Sequence, residues 1–200
     1  MQMKIGIIGS GGIGQAFARQ VVKAGYEVIM SNSRGADSLK EIVKQLGSKA
    51  RAGTVEDAVG AEVIFLAVQW IHLPAVAKQI SNWAGKIVID PINPVVPPDY
   101  KMAELAGRAS SEVIQEMLAG AKLVKAFNTF TPPLLQSSPE EMGGKRVVFY
   151  CGDDEAAKTI VKSIIDAIGF AGIDLGTLKA GAYLQQYPSG PLPGLNLIKL

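Results

Sequence analysis

The sequence holds few of the residues from which metal and thiol centres are built. One cysteine, Cys151, and one histidine, His72, stand among 200 residues. A single cysteine excludes an internal disulfide framework and a cysteine-based zinc site, and a single histidine leaves no histidine-rich metal cluster. Charge of one sign is not in excess either. Lysine and arginine number 20 against 18 acids, for a net charge of +2, so there is no basic field or basic run for nucleic acid. No apolar stretch reaches the roughly 20 residues of a membrane span, and the chain runs into an apolar strand with no signal-peptide pattern. With 48% hydrophobic and 19% charged residues, the composition is that of a folded globule. Its length suits one sizeable α/β domain over residues 1–200. The expected location is the cytoplasm, with neither nucleic acid nor membrane as partner.

What the sequence does hold is concentrated in residues 3–34. An apolar run, Met3-Lys4-Ile5-Gly6-Ile7-Ile8, passes into Gly9-Ser10-Gly11-Gly12-Ile13-Gly14. Ile13, Phe17 and Val21 then follow at helical spacing up to Gly25, and a second apolar run, Val28-Ile29-Met30, ends in Ser31-Asn32-Ser33-Arg34. A glycine pattern G-x-G-x-x-G between a strand and a helix predicts a dinucleotide site. Gly9 permits the sharp turn, Gly11 leaves room for a pyrophosphate, and Gly14 lets the helix pack closely on the sheet. Ser10, Gly12 and Ile13 complete the turn, whose unpaired helix-start N–H groups face the phosphates. An NAD site places an acid at the end of the second strand to hold the ribose 2′-hydroxyl. None stands between Val28 and Arg34. Ser31, Asn32, Ser33 and Arg34 suit a 2′-phosphate instead, so the expected cofactor is NADP(H).

The rest of the chain alternates between the two periodicities. Leu39, Ile42, Val43 and Leu46 share a helical face closed by Gly47, a short strand follows near Ala50-Arg51-Ala52, and Thr54 with Asp57 reads as a helix cap. Val63-Ile64-Phe65-Leu66-Ala67-Val68 reads as a strand buried on both faces. Ligands bind outside the carboxyl ends of such strands, which places Ala67, Val68, Gln69 and Trp70 beside the cofactor. Trp70 suits a lid or a core or interface position equally. His72 has no evident acid partner. Lys86-Ile87-Val88-Ile89-Asp90 is a fifth strand, and four prolines in residues 91–98 predict a stiff loop after it. There Pro91 and Asn93 lie where a nicotinamide would sit, although an asparagine before proline also serves as a turn former. Leu123-Val124-Lys125-Ala126-Phe127 brings Ala126 and Asn128 to the same edge. Arg146-Val147-Val148-Phe149-Tyr150-Cys151 is the last clear strand, with Cys151 read as a small buried residue at its end. Asp153, Asp154 and Glu155 read as the capped start of a helix and not as a metal site. The tail of residues 180–200 is rich in proline and glycine and turns apolar at its end. It is expected to dock on its own sheet edge or on a partner subunit.

The glycine turn, the Ser31-Asn32-Ser33-Arg34 loop, Ala67-Val68-Gln69-Trp70, Asp90-Pro91-Ile92-Asn93-Pro94, Lys125-Ala126-Phe127-Asn128-Thr129 and Gly152-Asp153-Asp154 occur in an order that resembles the NADPH-dependent coenzyme F-420 reductase family. That family is itself similar to the N-terminal oxidoreductase domain of the STEAP metalloreductases. The resemblance implies an α/β NAD(P)-binding Rossmann fold, a doubly wound and mostly parallel sheet with a small C-terminal extension, usually as a homodimer. It implies hydride transfer between NADPH and a deazaflavin, coenzyme F-420, or a flavin as the small-molecule redox acceptor. Carried over, residues 9–14 hold the pyrophosphate, Ser33 and Arg34 the 2′-phosphate, Val68 and Gln69 the groove wall, and Asn93 with Asn128 the nicotinamide end. It departs at Asn128, where archaeal F-420 reductases carry histidine. Hydride transfer between stacked rings needs orientation more than acid–base chemistry. The absence of a legible His/Asp, Lys/Asp or Ser/Tyr/Lys set is therefore in keeping with it, and counts against a carbonyl-reducing dehydrogenase. A non-catalytic NADP(H) sensor, or a reductase of a small carbonyl or imine, are the other readings.

Overall fold

The computed structural model describes residues 3–200. Apolar strands and amphipathic helices alternate along it: β1 (Lys4–Ile8), α1 (Gly12–Lys23), β2 (Glu27–Ser31), α2 (Lys40–Leu46), β3 (Ala50–Ala52), α3 (Val55–Val59), β4 (Val63–Leu66), α4 (Leu73–Gln79) and β5 (Ile87–Asp90). Short 3-10 turns at Ala36–Leu39 and Trp70–His72 lead into α2 and α4. The four residues of β4 are all fully buried, as a central strand covered by helices on both faces requires. Ala67 and Val68, expected in the same strand, leave it. Ala67 N–H donates to the Ile8 carbonyl at 2.8 Å, and the chain turns there.

The proline-rich loop also differs from the expected irregular segment. Prolines keep it out of the main sheet, yet β6 (Val95–Val96) and β7 (Lys101–Met102) pair as a small antiparallel hairpin of their own. There follow α5 (Ser110–Met117), β8 (Lys122–Ala126), α6 (Pro132–Gln136), β9 (Glu140–Glu141), β10 (Gly144–Gly152), α7 (Glu155–Ala167), β11 (Ala171–Asp174), α8 (Leu178–Gln185) and β12 (Ile198–Lys199). The tail thus opens within α8, which runs to Gln185 and buries Leu178 and Ala182. The last strand pairs antiparallel with Lys145 and Arg146 of β10 in the same chain.

The sheet order is β11-β10-β8-β5-β4-β1-β2-β3. Strands β3 to β8 along that order are mutually parallel, and β10 joins β8 antiparallel. The chain therefore winds outward in both directions from β1 and β4, and the crevice between them is the topological switch point. One hydrophobic core lies on each face. The first centres on Phe17 stacked on Phe65 at 3.8 Å, with Phe127 edge-on to both. The second gathers Trp83, Ile114 and Leu118 over the other face. Among the described residues no helix is long and apolar enough to cross a membrane.

Candidate functional site

At the switch point the glycine turn leaves no room for side chains at two of its positions. Gly9 has φ of 110°, and a Cβ there would lie 2.1 Å from the Ala67 carbonyl oxygen. A Cβ on Gly14 would lie equally close to the Gly9 oxygen. These two glycines let β1, the turn and the start of α1 meet the end of β4. Gly11 is different. A Cβ there would meet nothing within 4 Å, so the space it leaves belongs to the groove. Helix α1 opens with no side-chain cap and no acid in its first turn. Its first N–H groups and the positive end of its dipole are thus left for an anion. Gln15 Nε2 donates to the Ser10 carbonyl at 2.8 Å and steadies the turn.

The loop after β2 divides its four candidate residues. Ser31 is buried, and its hydroxyl donates to the Ile7 carbonyl at 3.1 Å, tying β2 to β1. Asn32 braces the loop. Its Nδ2 donates to the hydroxyls of Ser10 and Ser38 at 2.9 and 3.0 Å, and its Oδ1 accepts from Arg34 N–H at 2.9 Å. Ser33 and Arg34 are exposed, and among the described residues the Arg34 guanidinium has no ion-pair partner. Asp37 follows nearby, but Lys40 sits 2.7 Å away; its hydrogen bond and charge hold the Asp37 carboxyl below its ordinary range.

From the turn a groove of about 290 Å³ runs to the proline hairpin. Gly11, Gly12 and Ile13 line one end, Ala67, Val68, Gln69 and Trp70 the middle, and Pro91, Ile92, Asn93, Val95, Pro97 and Tyr100 the other. Trp70 is therefore half-buried at the groove wall, whereas His72 is exposed and outside it. Ala126 is buried within β8 and does not reach the groove. Asn128 is 4% exposed and stands behind Asn93. Its Nδ2 donates to Asn93 Oδ1 at 3.0 Å, and Asn93 Nδ2 donates to the Asn128 carbonyl at 2.8 Å. The turn that brings them together passes through Phe127, a non-glycine residue at φ of 67°, a conformation that needs its surroundings to hold it. A larger depression, about 490 Å³ between α1 and α6, shares only Gly12 and Pro132 with the groove and is the more open of the two.

A model of the family described as NADP oxidoreductase coenzyme F420-dependent matches residues 4–94. The matched segment, β1 to the loop after β5, is thus similar to this family. The rat metalloreductase STEAP3 (Rattus norvegicus) is 32% identical over 95% of this chain. The match takes in 37% of that protein, so the chain spans little more than a third of its curated relative. A hypothetical protein, SMa0349, from Sinorhizobium meliloti superposes with a TM-score of 0.93 at 39% identity, covering 100% of this chain and 97% of that one. A protein provisionally named an F420-dependent NADP reductase, from Arthrobacter sp. FB24, gives 0.73 at 26% identity, over 88% and 86% of the two chains. The family model describes NADP-dependent oxidoreductases. Its match takes in the glycine turn, the loop after β2, the end of β4 and Asn93, and stops before Asn128.

One constellation escaped the sequence reading. Asp90 and Lys125 are register partners on β5 and β8, both fully buried, with Lys125 Nζ 3.3 Å from Asp90 Oδ2. The signal was available: a lysine inside an otherwise apolar strand must find a partner. This Lys/Asp pair lies beneath the groove lining and not in it. Cys151 is buried next to Gln185, and burial pushes its thiol pKa up to about 12, so it stays protonated and unreactive. Asp154 caps α7 through Ala157 N–H at 2.8 Å, and Asp153 accepts from Leu178 N–H at 3.0 Å. Among the described residues no group of three or more His, Cys, Asp and Glu side chains is disposed to hold a metal ion.

Proposed function

We propose that this protein passes hydride between NADPH and a planar ring acceptor, a deazaflavin such as coenzyme F-420 or a flavin. The groove lining supports this reading best. It contains no carboxylate, imidazole or amine, and its walls are Trp70 at the middle and Val95, Pro97 and Tyr100 at the far end. Such a surface orients and desolvates rings, and its one acidic group, the Tyr100 phenol, is two-thirds exposed to solvent rather than held over a reacting carbonyl.

The residues fit the cofactor. The open face of Gly11 and the uncapped start of α1 would hold the pyrophosphate. Ser33 and Arg34, exposed and without a competing acid in their loop, would hold the 2′-phosphate. When bound, NADPH supplies the hydride. The chain's own work is to fix the dinucleotide along the groove, to present Asn93 at its far end, and to exclude water with apolar walls.

The test is NADPH oxidation with coenzyme F-420, FMN, FAD and no acceptor in parallel. Acceleration by one ring system would name the acceptor. Tight NADPH binding without acceleration by any of them would overturn the reading in favour of a sensor or a small-substrate reductase.

A further inference from the structure

Three consecutive residues at the end of α8 are gripped from three sides. The Gln185 carbonyl accepts from Asn128 Nδ2, Gln186 Oε1 accepts from Ser110 N–H at 2.6 Å, and Tyr187 N–H donates to Asn93 Oδ1 at 3.0 Å. Ser110 is also part of the buried charge network. Its Oγ lies 3.4 Å from Lys125 Nζ, which donates to Asp90 Oδ2 at 3.3 Å and to the Ile92 carbonyl at 2.9 Å. Asp90 Oδ2 accepts from Ser111 Oγ at 2.6 Å, and Asp90 Oδ1 accepts from Ile92 N–H at 2.8 Å. Asp90 and Lys125 together thus hold both backbone polar groups of the residue before Asn93.

The consequence falls on the Asn93 amide. Its Oδ1 receives two donors, Asn128 Nδ2 and Tyr187 N–H, and one N–H of its Nδ2 is given to the Asn128 carbonyl. An amide carries two donors and one acceptor oxygen with two lone pairs. The second N–H of Asn93 Nδ2 is therefore the one group left uncommitted, and the amide cannot flip without breaking three bonds. We infer that Asp90 and Lys125 are positioning residues. With residues 185–187 they fix Asn93 so that it offers the groove a donor, matched to an acceptor oxygen such as a carboxamide carbonyl on the bound ring. This rests on the reading that the far end of the groove takes the nicotinamide. A buried ion pair adds little stability over two apolar side chains of similar volume. Apolar side chains, however, could not hold both the N–H and the C=O of Ile92.

The test compares the affinity of the full chain for NADP+ and for 2′,5′-ADP, which lacks the nicotinamide half, by calorimetric titration. The parent's ratio measures what the nicotinamide end contributes. In the apolar pair Asp90→Leu/Lys125→Met the ratio should fall about five- to tenfold, with 2′,5′-ADP affinity nearly unchanged and the thermal midpoint lowered, because the Ile92 N–H and C=O and the Ser111 hydroxyl lose their buried partners. In the uncharged polar pair Asp90→Asn/Lys125→Gln, which can still bond both groups of Ile92, most of the ratio should return. Asn93→Asp, a half-buried site that tests the donor without disturbing the pair, should lose it as well. Retention of the parent ratio in Asp90→Leu/Lys125→Met or in Asn93→Asp overturns the inference. A parent that binds both ligands equally overturns it together with the reading of the groove, whereas loss confined to the variants does not touch that reading.

Discussion

Gly9 and Gly11 stand two residues apart in one turn, and a methyl group should harm each for a different reason. At Gly9 the backbone is left-handed and a Cβ would collide with the Ala67 carbonyl. Gly9→Ala is expected to lower stability or abolish folding. At Gly11 φ is −72° and the space is open, so Gly11→Ala should melt like the parent and yet bind NADPH at least about tenfold more weakly, because only the ligand meets the methyl. Thermal melts and titrations of both variants separate the two effects. A Gly11→Ala protein with parental affinity would remove the pyrophosphate from this turn. Arg34 is tested by a ratio. A charge-assisted bond to a 2′-phosphate contributes roughly 1.5–3 kcal/mol, so Arg34→Ala should weaken NADPH about ten- to a hundredfold and leave NADH unaffected. Equal losses for both cofactors would assign Arg34 some other role. Asp37, the acid nearest in sequence, is paired with Lys40 and offers an incoming phosphate little net repulsion.

At the scale of elements, α3 shows how a five-residue helix can be specified. Thr54 Oγ1 accepts from Asp57 N–H at 3.1 Å while Asp57 Oδ2 accepts from Thr54 N–H at 2.9 Å. The helix then packs so closely that a Cβ on Gly6 of β1 would lie 1.9 Å from the Ala58 carbonyl. Thr54→Ala should cost about 1 kcal/mol, a fall of roughly 2–4 °C in Tm for a chain of this size, with NADPH affinity unchanged because neither capping residue lines the groove. Calorimetry and titration on one sample check both halves. That cap was legible from the spacing of Thr54 and Asp57, as were the glycine turn and the capped start of α7, because local geometry dictates all three. Helix α8 was not. Thr177 caps its start locally through Ala180 N–H at 3.2 Å, but its burial through Leu178 and Ala182 depends on α5 and β10 lying beside it. The end of β4 was misplaced by two residues because β1, its neighbour, stops at Ile8, so that Ala67 N–H to the Ile8 carbonyl is the last rung of the ladder between them. The site divides in the same way. The groove lining from Gly11 to Asn93 follows from strand ends. The bonds that fix Asn93 reach 35 residues to Asn128 and 94 to Tyr187, and no local pattern encodes contacts of that span.

For the whole molecule, the sheet order sets what a bound dinucleotide would join. The loop after β2 and the loop after β5 lie on opposite sides of the β1–β4 switch point, so a ligand spanning both ties the two halves of the sheet through contacts that the free chain lacks. Binding to the folded state alone contributes about 2.7 kcal/mol at a ligand concentration of 100 Kd, which for a chain of this length corresponds to a rise in Tm of roughly 5–10 °C. NADPH at that concentration should produce such a shift. NADH at the same concentration should produce much less, for want of a group to engage Arg34, and 2′,5′-ADP should fall between them because it reaches only the half beside β2. A thermal-shift series with the three ligands reads this order directly. NADH matching NADPH would place the 2′-phosphate outside the loop of Ser33 and Arg34, and 2′,5′-ADP matching NADPH would mean that the far half of the groove, from Trp70 to Asn93, adds nothing to binding.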